Sequence, residues 1–243
     1  ICRQVPSHRA YRMVRSKYEN LMRMSAHPQY WLDYACSGAL DWFQEPTVAV
    51  DDSLAPHFYS WFPDGRINLC YNAVDRHVAG GRASQTAIAF HSNVGGRSRM
   101  ISYQDLLKRV SSCAAALTNL GVGEGDLVVI YMPMVPEALE AMLACNRIGA
   151  VHSVVFGGFA SRELAVRLDD ASPKVVITAT CGLEGETKVV PYLPLLEEAI
   201  TLTREDRRPE HVVVLDRPEV ADRLQKHHQQ HGRGLCVCVC ECK

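Results

Sequence analysis

The stretch VHSVVFGGFASRELAVRLDD, residues 151–170, decides the fold that we expect for this chain. Its valine-rich start, residues 151–155, predicts a buried strand. Residues 156–159, FGGF, follow, and two adjacent glycines allow a positive φ and the close approach of a ligand to the main chain. Ser161 then takes the expected N-cap position of a helix whose first turn carries Glu163. The stretch therefore predicts strand, glycine turn and helix, which is either a phosphate-binding layout or an ordinary tight connection.

Apolar strands alternate with amphipathic helices on both sides of this stretch. Strands that are apolar throughout are typical of a parallel sheet covered on both faces. We therefore predict an α/β fold with flanking helices, preceded by a mainly helical, aromatic-rich segment, residues 11–44, that breaks at Pro28. The predicted strands are 86–90, 100–103, 126–132, 151–155, 174–179 and 211–215, and the predicted helices are 68–78, 102–120, 136–147, 161–170 and 194–203.

The composition limits the function classes. A net charge of −1 over 243 residues implies no broad attraction to nucleic acid or to an anionic membrane. The apolar runs are too short to span a bilayer, so we expect no membrane-spanning segment. Six of the ten cysteines are isolated in the sequence, which favours reduced, buried thiols inside a cell over a secreted disulfide framework.

Three further features have ordinary explanations. Residues 121–126, GVGEGD, resemble part of a dinucleotide fingerprint, but they follow a helix and precede a strand, so we predict a helix end and a turn. The adjacent acids at 169–170 and at 197–198 are expected on solvated helix faces. His152 is expected to be a hydrogen-bonded core residue and not a catalyst.

A second candidate segment, residues 181–188 (CGLEGETK), follows the predicted strand 174–179. Because the carboxyl ends of parallel strands share one edge of the sheet, where ligands bind, we expect this segment to lie beside residues 156–159. Two glycines and a terminal lysine would suit a phosphate-bearing ligand. An ordinary exposed loop is the alternative.

Both ends of the sequence differ from the rest. Residues 1–17 are basic and free of acids, which suggests the remnant of a mitochondrial presequence and a location in the mitochondrial matrix, with the cytosol as the alternative. Residues 236–242, CVCVCEC, alternate cysteine with valine as a translated TG repeat would. We interpret residues 225–243 as an aberrant tail and not as a soft-metal site.

Residues 131–177 closely resemble the short-chain acyl-CoA synthetases of the adenylate-forming superfamily, which includes propionyl- and acetyl-CoA synthetases. The motifs LDW at 40–42 and NAVDRH at 72–77 resemble the N-terminal cap of that family. The likeness runs from about residue 18 to about residue 217. It implies a cap domain at 18–78 and the N-terminal part of an AMP-binding domain at 79–224. The motif CYNA at 70–73 favours the propionyl branch.

The resemblance implies an ATP- and Mg²⁺-dependent ligase that joins a short carboxylic acid to coenzyme A through an acyl-adenylate. The family's phosphate loop, acyl pocket and catalytic lysine are expected after Leu215, and we find none of them there. We therefore expect a truncated, inactive piece that has no catalytic residue and no metal site of its own. The alternative is a non-catalytic module that binds coenzyme A or a partner chain. The resemblance assigns coenzyme A contacts to Phe156, Gly157, Gly158, Glu184, Gly185, Glu186, Thr187 and Lys188.

Overall fold

The computed structural model describes residues 8–92, 98–184 and 188–217, with side chains from residue 16 onward except that of Glu184. The chain forms two compact units, Ile1–Asn68 and Leu69–Lys243. Cys70 and Val74, near the start of the second unit, are fully buried in its core. Residues 93–97, between the predicted strands 86–90 and 100–103, and the tail from 225 lie outside the described residues.

The first unit is mainly helical. Helix α1 (His8–Ser25) and helix α2 (Pro28–Tyr34) are followed by a helical turn, Ala35–Ala39, and by two short antiparallel strands, β1 (Val50–Asp51) and β2 (Ser60–Trp61). The predicted break is confirmed, because Pro28 is the first residue of α2. The backbone N–H at that position has no partner within a helix, so proline loses no hydrogen bond there.

Aromatic rings pack against each other within the first unit. The Trp31 ring lies 5.2 Å from the Tyr30 ring and 6.5 Å from the Trp61 ring, centroid to centroid. The Trp42 and Phe62 rings lie 5.7 Å apart. These edge-on distances are those of favourable aromatic pairs, so the rings contribute to packing inside this unit.

The second unit carries the alternating pattern. It opens with two helical segments, Tyr71–Asp75 and Val78–Arg82, which extend the helix predicted at 68–78. The antiparallel strands β3 (Thr86–His91) and β4 (Ser98–Ser102) follow. The remaining elements are α3 (Tyr103–Asn119), β5 (Leu127–Tyr131), α4 (Pro136–Ile148), β6 (Val151–Val154), α5 (Ser161–Ala171), β7 (Val175–Ala179), β8 (Gly182–Glu184), β9 (Lys188–Val190), α6 (Tyr192–Leu202), a 3-10 turn (Glu205–Arg207) and β10 (His211–Leu215).

The main sheet has four parallel strands in the order β10-β7-β5-β6. The side chains of successive residues in a strand point to opposite faces of the sheet, so each central strand contributes side chains to the core on both faces. Val128 and Ile130 of β5 pack in the cluster that contains residues of α3 and α4. Val129 and Tyr131 pack in the cluster that contains residues of α5 and α6. The predicted α/β fold with a parallel sheet between helices is confirmed.

The strand predicted as buried, residues 151–155, is the edge strand β6. In the described part of the sheet β6 has β5 on one side only, and the side chains of Val151 and Val154 are 51% and 54% exposed. The prediction was wrong because a valine-rich run is equally compatible with an edge position, which depends on strand order. Val155, just after β6, is buried, and its N–H donates to the Ile130 carbonyl.

Two predicted helix starts have different outcomes. Ser102 caps α3 as predicted, because its Oγ accepts from the Asp105 N–H at 3.1 Å. Ser161 does not cap α5: the N-cap is Ala160, and Ser161 is the first helical residue. The turn predicted at 121–126 is confirmed, with Gly121 and Gly125 at positive φ.

Five cysteines in the described part of the chain are free thiols. Cys70, Cys145 and Cys181 are buried, whereas Cys36 is exposed, contrary to the expectation of buried thiols. Burial raises the pKa of Cys145 to about 12, which keeps that thiol protonated and unreactive. Among the helices of residues 8–92, 98–184 and 188–217, none is long and apolar enough to cross a membrane.

Candidate functional site

The two predicted site segments lie at the same edge of the main sheet. Residues 156–159 follow the carboxyl end of β6, and residues 180–184 follow the carboxyl end of β7. Because β5, β6 and β7 are all parallel, both segments emerge at one rim, with the end of β5 between them. We call these two segments, together with Lys188, the carboxyl-edge site.

A strand-order reversal occurs beside this site. From β5 the chain passes through α4 to β6 on one side, and then through α5 to β7 on the other side of β5. The helices α4, which follows β5, and α6, which follows β7, contribute to different core clusters, so the connections after β5 and β7 leave on opposite faces of the sheet. Such a reversal opens a crevice at the carboxyl edge, which is where open α/β sheets bind ligands.

The side chain of Tyr192 lies between the two segments. A Cβ added to Gly157 would overlap the Tyr192 hydroxyl, and a Cβ added to Gly182 would lie 2.5 Å from Tyr192 Cε2. The same added Cβ on Gly182 would lie 3.1 Å from Pro133 Cβ, just after β5. The main chain of both segments therefore packs directly on one buried aromatic ring.

The glycines of residues 156–159 do not adopt the left-handed conformation that the sequence suggested. Neither Gly157 nor Gly158 has a positive φ. Space explains the glycine at Gly157, where an added Cβ would overlap the buried Tyr192 side chain, whereas at Gly158 it would overlap the ring of the exposed Phe156. Even without a positive φ, the two glycines leave main chain at the rim uncovered by side chains, so a ligand could contact it.

Tyr131 supports the ring of Tyr192 from the end of β5. The two ring centroids are 4.9 Å apart, and the Tyr131 hydroxyl donates to the Phe159 carbonyl at 3.0 Å. Burial, with a smaller contribution from Tyr192, raises the pKa of Tyr131 to about 12. The hydroxyl is therefore protonated over the physiological range and remains a donor to residue 159.

Phenylalanine side chains form the outer part of the turn. Phe156 is 71% exposed, and its ring meets the Phe159 ring edge-on at 5.8 Å. The Arg167 guanidinium lies 4.7 Å from the Phe159 ring centroid, within cation–π range. An exposed aromatic ring beside bare main chain offers a flat apolar contact for a ligand at this rim.

The segment predicted as a loop is a hairpin. Strands β8 and β9 are antiparallel, with Gly182 opposite Val190 and Glu184 opposite Lys188. Lys188 is exposed. The predicted contacts Gly185, Glu186 and Thr187 lie outside the described residues. Turn chemistry alone did not predict the pairing, because three-residue strands carry too little alternation to stand out in a sequence.

Arg217 holds the base of this hairpin. Its N–H donates to Thr180 Oγ1 at 3.1 Å, and its guanidinium donates to the Cys181 carbonyl at 3.2 Å. The Thr180 N–H donates to the Leu215 carbonyl at 3.0 Å, which continues the pairing of β7 with β10. The hairpin therefore starts from a rigid point on the sheet.

The N-terminal turn of α5 already has an anion beside it. Ser161 Oγ donates to Glu198 Oε2 of α6 at 2.7 Å, and Ser161 is buried. A carboxylate near the positive end of a helix dipole is stabilising and also repels a second anion. The phosphate role suggested for this helix end is therefore weaker than the packing role, and the hairpin side with Lys188 is the better place for a negative group.

The sequence analysis missed Tyr131, Tyr192 and Arg217, which shape this rim. One available signal was Pro191, since proline often marks the start of a helix and α6 begins at the next residue. His152 is half-buried in the edge strand, and its ring makes no hydrogen bond to another described side chain, contrary to prediction. Burial lowers its pKa. No group of three or more side chains suited to a metal ion occurs within residues 8–92, 98–184 and 188–217.

Comparisons with known proteins point to one family. Residues 75–234 match the family model described as AMP-binding enzyme, and residues 18–73 match the model described as acetyl-coenzyme A synthetase N-terminus. An uncharacterized protein of Pseudomonas aeruginosa is 50% identical over 195 residues, which are 80% of this chain and 30% of that protein.

Two named relatives agree with the family match. Acyl-CoA synthetase short-chain family member 3, mitochondrial, of Mus musculus is 47% identical over 81% of this chain and 28% of its own length. Acetyl-coenzyme A synthetase of Streptomyces avermitilis is 47% identical over 71% of this chain and 26% of its own length. The chain thus spans less than a third of these relatives. Since the first family model alone covers more than half of the residues, this chain belongs to the AMP-binding enzyme family.

Proposed function

We propose that this chain provides the coenzyme A-facing part of an AMP-forming acid–thiol ligase for short-chain carboxylic acids. The names of the mouse and Streptomyces relatives support a short acyl substrate and coenzyme A. One observation carries the proposal. Residues 156–158 and the β8–β9 hairpin both pack against the side chain of Tyr192 at the carboxyl edge of a parallel sheet.

The reaction that we propose for the whole ligase has two steps. A carboxylate oxygen attacks the α-phosphorus of ATP, which forms an acyl-adenylate and releases pyrophosphate. The sulfur of coenzyme A then attacks the acyl carbonyl carbon, its proton is lost, and AMP leaves. Mg²⁺ bound with ATP would neutralise charge on the departing pyrophosphate.

The residues of this chain serve the second substrate in this proposal. Coenzyme A is a long molecule with an anionic nucleotide end, so it needs main-chain contacts along its length and cations near its phosphates. Gly157 and Gly158 provide the bare main chain, Phe156 an exposed apolar ring, and Lys188 an exposed cation. Glu184, Gly185, Glu186 and Thr187 are included as contacts on the family resemblance.

Propionate is the proposed acid, with acetate as a second substrate. The motif CYNA at 70–73 supports the propionyl branch through the family resemblance. We further propose that the 243-residue chain does not complete the reaction by itself, since the ligase relatives are more than three times as long as the segments that match it. Binding of coenzyme A without catalysis is then its remaining activity.

The location is supported in part by the names of the relatives, and the domain limits are proposed from the sequence. Matches named mitochondrial, in mouse, rat and cattle, support the mitochondrial matrix, with the cytosol as the alternative because bacterial relatives are equally similar. We propose a presequence remnant at 1–17, a cap domain at 18–78, an AMP-binding part at 79–224 and an aberrant tail at 225–243.

Calorimetric titration of the 243-residue chain with coenzyme A tests the binding role. We expect Lys188→Ala to raise the dissociation constant about two- to fivefold, as is typical for loss of one exposed charge contact. Lys108→Ala is the matched control, because Lys108 is also an exposed lysine and lies on α3, which packs in the other core cluster from Tyr192. No heat of binding with the unmodified chain would contradict the coenzyme A role, and equal effects of the two variants would exclude Lys188 as a contact.

Incubation with propionate, ATP, Mg²⁺ and coenzyme A tests the proposed lack of catalysis. We expect no propionyl-CoA and no AMP above the level without protein, measured by liquid chromatography. Formation of propionyl-CoA in proportion to the amount of chain would refute this part of the proposal.

A further inference from the structure

The geometry points to Tyr192 as a positioning residue: we propose that its ring couples the turn at 156–159 to the β8–β9 hairpin, so that the two halves of the carboxyl-edge site move as one. This inference rests on the proposed function only for its consequence, the placement of coenzyme A. The coupling itself is a property of the packing.

The main chain holds Tyr192 firmly at the start of α6. Pro191 precedes it as the N-cap residue, with a restricted φ, and the Leu195 N–H donates to the Pro191 carbonyl. The ring is 6% exposed and belongs to the core cluster formed with α5 and α6. A ring fixed at its Cα and buried at its sides transmits displacement, because protein interiors are close-packed.

Three walls surround the ring. Gly157 and Gly182 approach it so closely that neither could carry a Cβ without a shift. Tyr131 forms the third wall, with its centroid 4.9 Å away, and the hydrogen bond from Tyr131 to the Phe159 carbonyl limits its own movement. Displacement of the ring by one segment therefore brings it against the other segment.

The absence of a positive φ removes the usual explanation for these glycines. Gly157 and Gly182 both lie outside the left-handed region, so their backbone conformations are open to other residues. What excludes a side chain at both positions is the same ring. Two glycines that are far apart in sequence thus contact the same aromatic side chain, as we expect if that side chain couples the two segments.

Hydrogen exchange measured by mass spectrometry on the 243-residue chain tests the coupling. In Tyr192→Leu we expect amide exchange to rise about tenfold or more at both residues 156–159 and residues 182–184, relative to β5 and α3. Tyr192→Phe keeps the ring and is expected to retain the exchange of the unmodified chain within about threefold. The control Leu196→Ala removes a fully buried side chain one turn further along α6 and in the same core cluster.

The control separates coupling from general loss of stability. We expect Leu196→Ala to raise exchange across α5, α6 and the sheet without selecting the two segments. A second variant, Gly182→Ala, pushes the ring from the hairpin side and is expected to raise exchange at residues 156–159, which it does not touch. Unchanged exchange at either segment in Tyr192→Leu, or the same pattern in Leu196→Ala, would overturn the coupling.

Titration with coenzyme A then distinguishes the two proposals. We expect Tyr192→Leu to weaken coenzyme A binding about tenfold, as the coupled exchange effect would imply, with Tyr192→Phe restoring it. If the unmodified chain does not bind coenzyme A while the exchange pattern appears, the proposed function fails and the coupling stands. If coenzyme A binds and the exchange pattern is absent, the coupling fails and the proposed function stands.

Discussion

Gly157→Ala tests the claim that space, and not backbone conformation, requires glycine at the turn after β6. The φ of Gly157 is outside the left-handed region, so alanine brings no backbone strain there. Its added methyl group would overlap the Tyr192 hydroxyl. Tyr192 has little room to retreat, because Gly182 and Tyr131 lie on its other sides.

Two opposing terms set the size of the effect. Overpacking of a close-packed interior costs about 1–3 kcal/mol. Replacing glycine with alanine in a permitted conformation stabilises by about 0.4–1 kcal/mol, through the lower entropy of the unfolded chain. We therefore expect the free energy of unfolding of the second unit to fall by about 1–2 kcal/mol.

Urea unfolding followed with two probes measures this change. All three tryptophans, Trp31, Trp42 and Trp61, lie in the first unit, so tryptophan fluorescence reports that unit. Far-UV circular dichroism reports both units, and the change is expected in the dichroism transition alone. Gly80→Ala is the matched control, because Gly80 has an ordinary φ and nothing within 4 Å of its added Cβ. Equal stability of the two variants would refute the steric argument.

Two further predictions concern charged groups in the second unit. The Arg147 guanidinium donates two hydrogen bonds to the Asp75 carboxylate, at 2.8 and 2.9 Å, and Asp75→Asn should lower the free energy of unfolding in urea by about 1–2 kcal/mol. The control Asp206→Asn, at an exposed carboxylate, should change stability by less than about 0.5 kcal/mol. A similar loss in both variants would contradict a stabilising role of the Arg147–Asp75 pair. Glu140→Gln should raise the melting temperature at neutral pH, because burial raises the pKa of Glu140 and so disfavours its charged form in the folded state. The folded protein then binds the proton more tightly than the unfolded chain, so the penalty grows as pH rises through the folded pKa, and the advantage of glutamine should vanish below the ordinary value of 4.5. A pH-independent gain in melting temperature would contradict this origin.

Local sequence patterns predicted most elements of the second unit. The strand at 211–215 has the predicted limits, and the helix predicted at 136–147 differs by one residue at its end. Pro28 and Ser102 mark helix starts as expected. These features depend on neighbours within a few residues, such as alternation of apolar side chains, a missing N–H or a capping hydroxyl, so the sequence contains the information directly.

Strand order and side-chain packing decided what the sequence alone did not. The valine-rich run of β6 is compatible with a central or an edge strand, and only its pairing with β5 alone, in the described sheet, makes it an edge. Ser161 was expected to cap its own helix, but it donates to Glu198 of α6, a residue that only the tertiary fold brings near.

The candidate site shows the same division. The sequence by itself determined that glycines and a lysine follow two strands that are consecutive along the chain in a parallel sheet, and therefore which rim they occupy. Only the tertiary structure decided why those glycines are needed, because the contact that excludes a side chain comes from Tyr192, which lies 35 residues after Gly157 and 10 after Gly182. Local sequence patterns do not predict such a contact, because the packing of segments that are distant in sequence depends on how the whole core assembles.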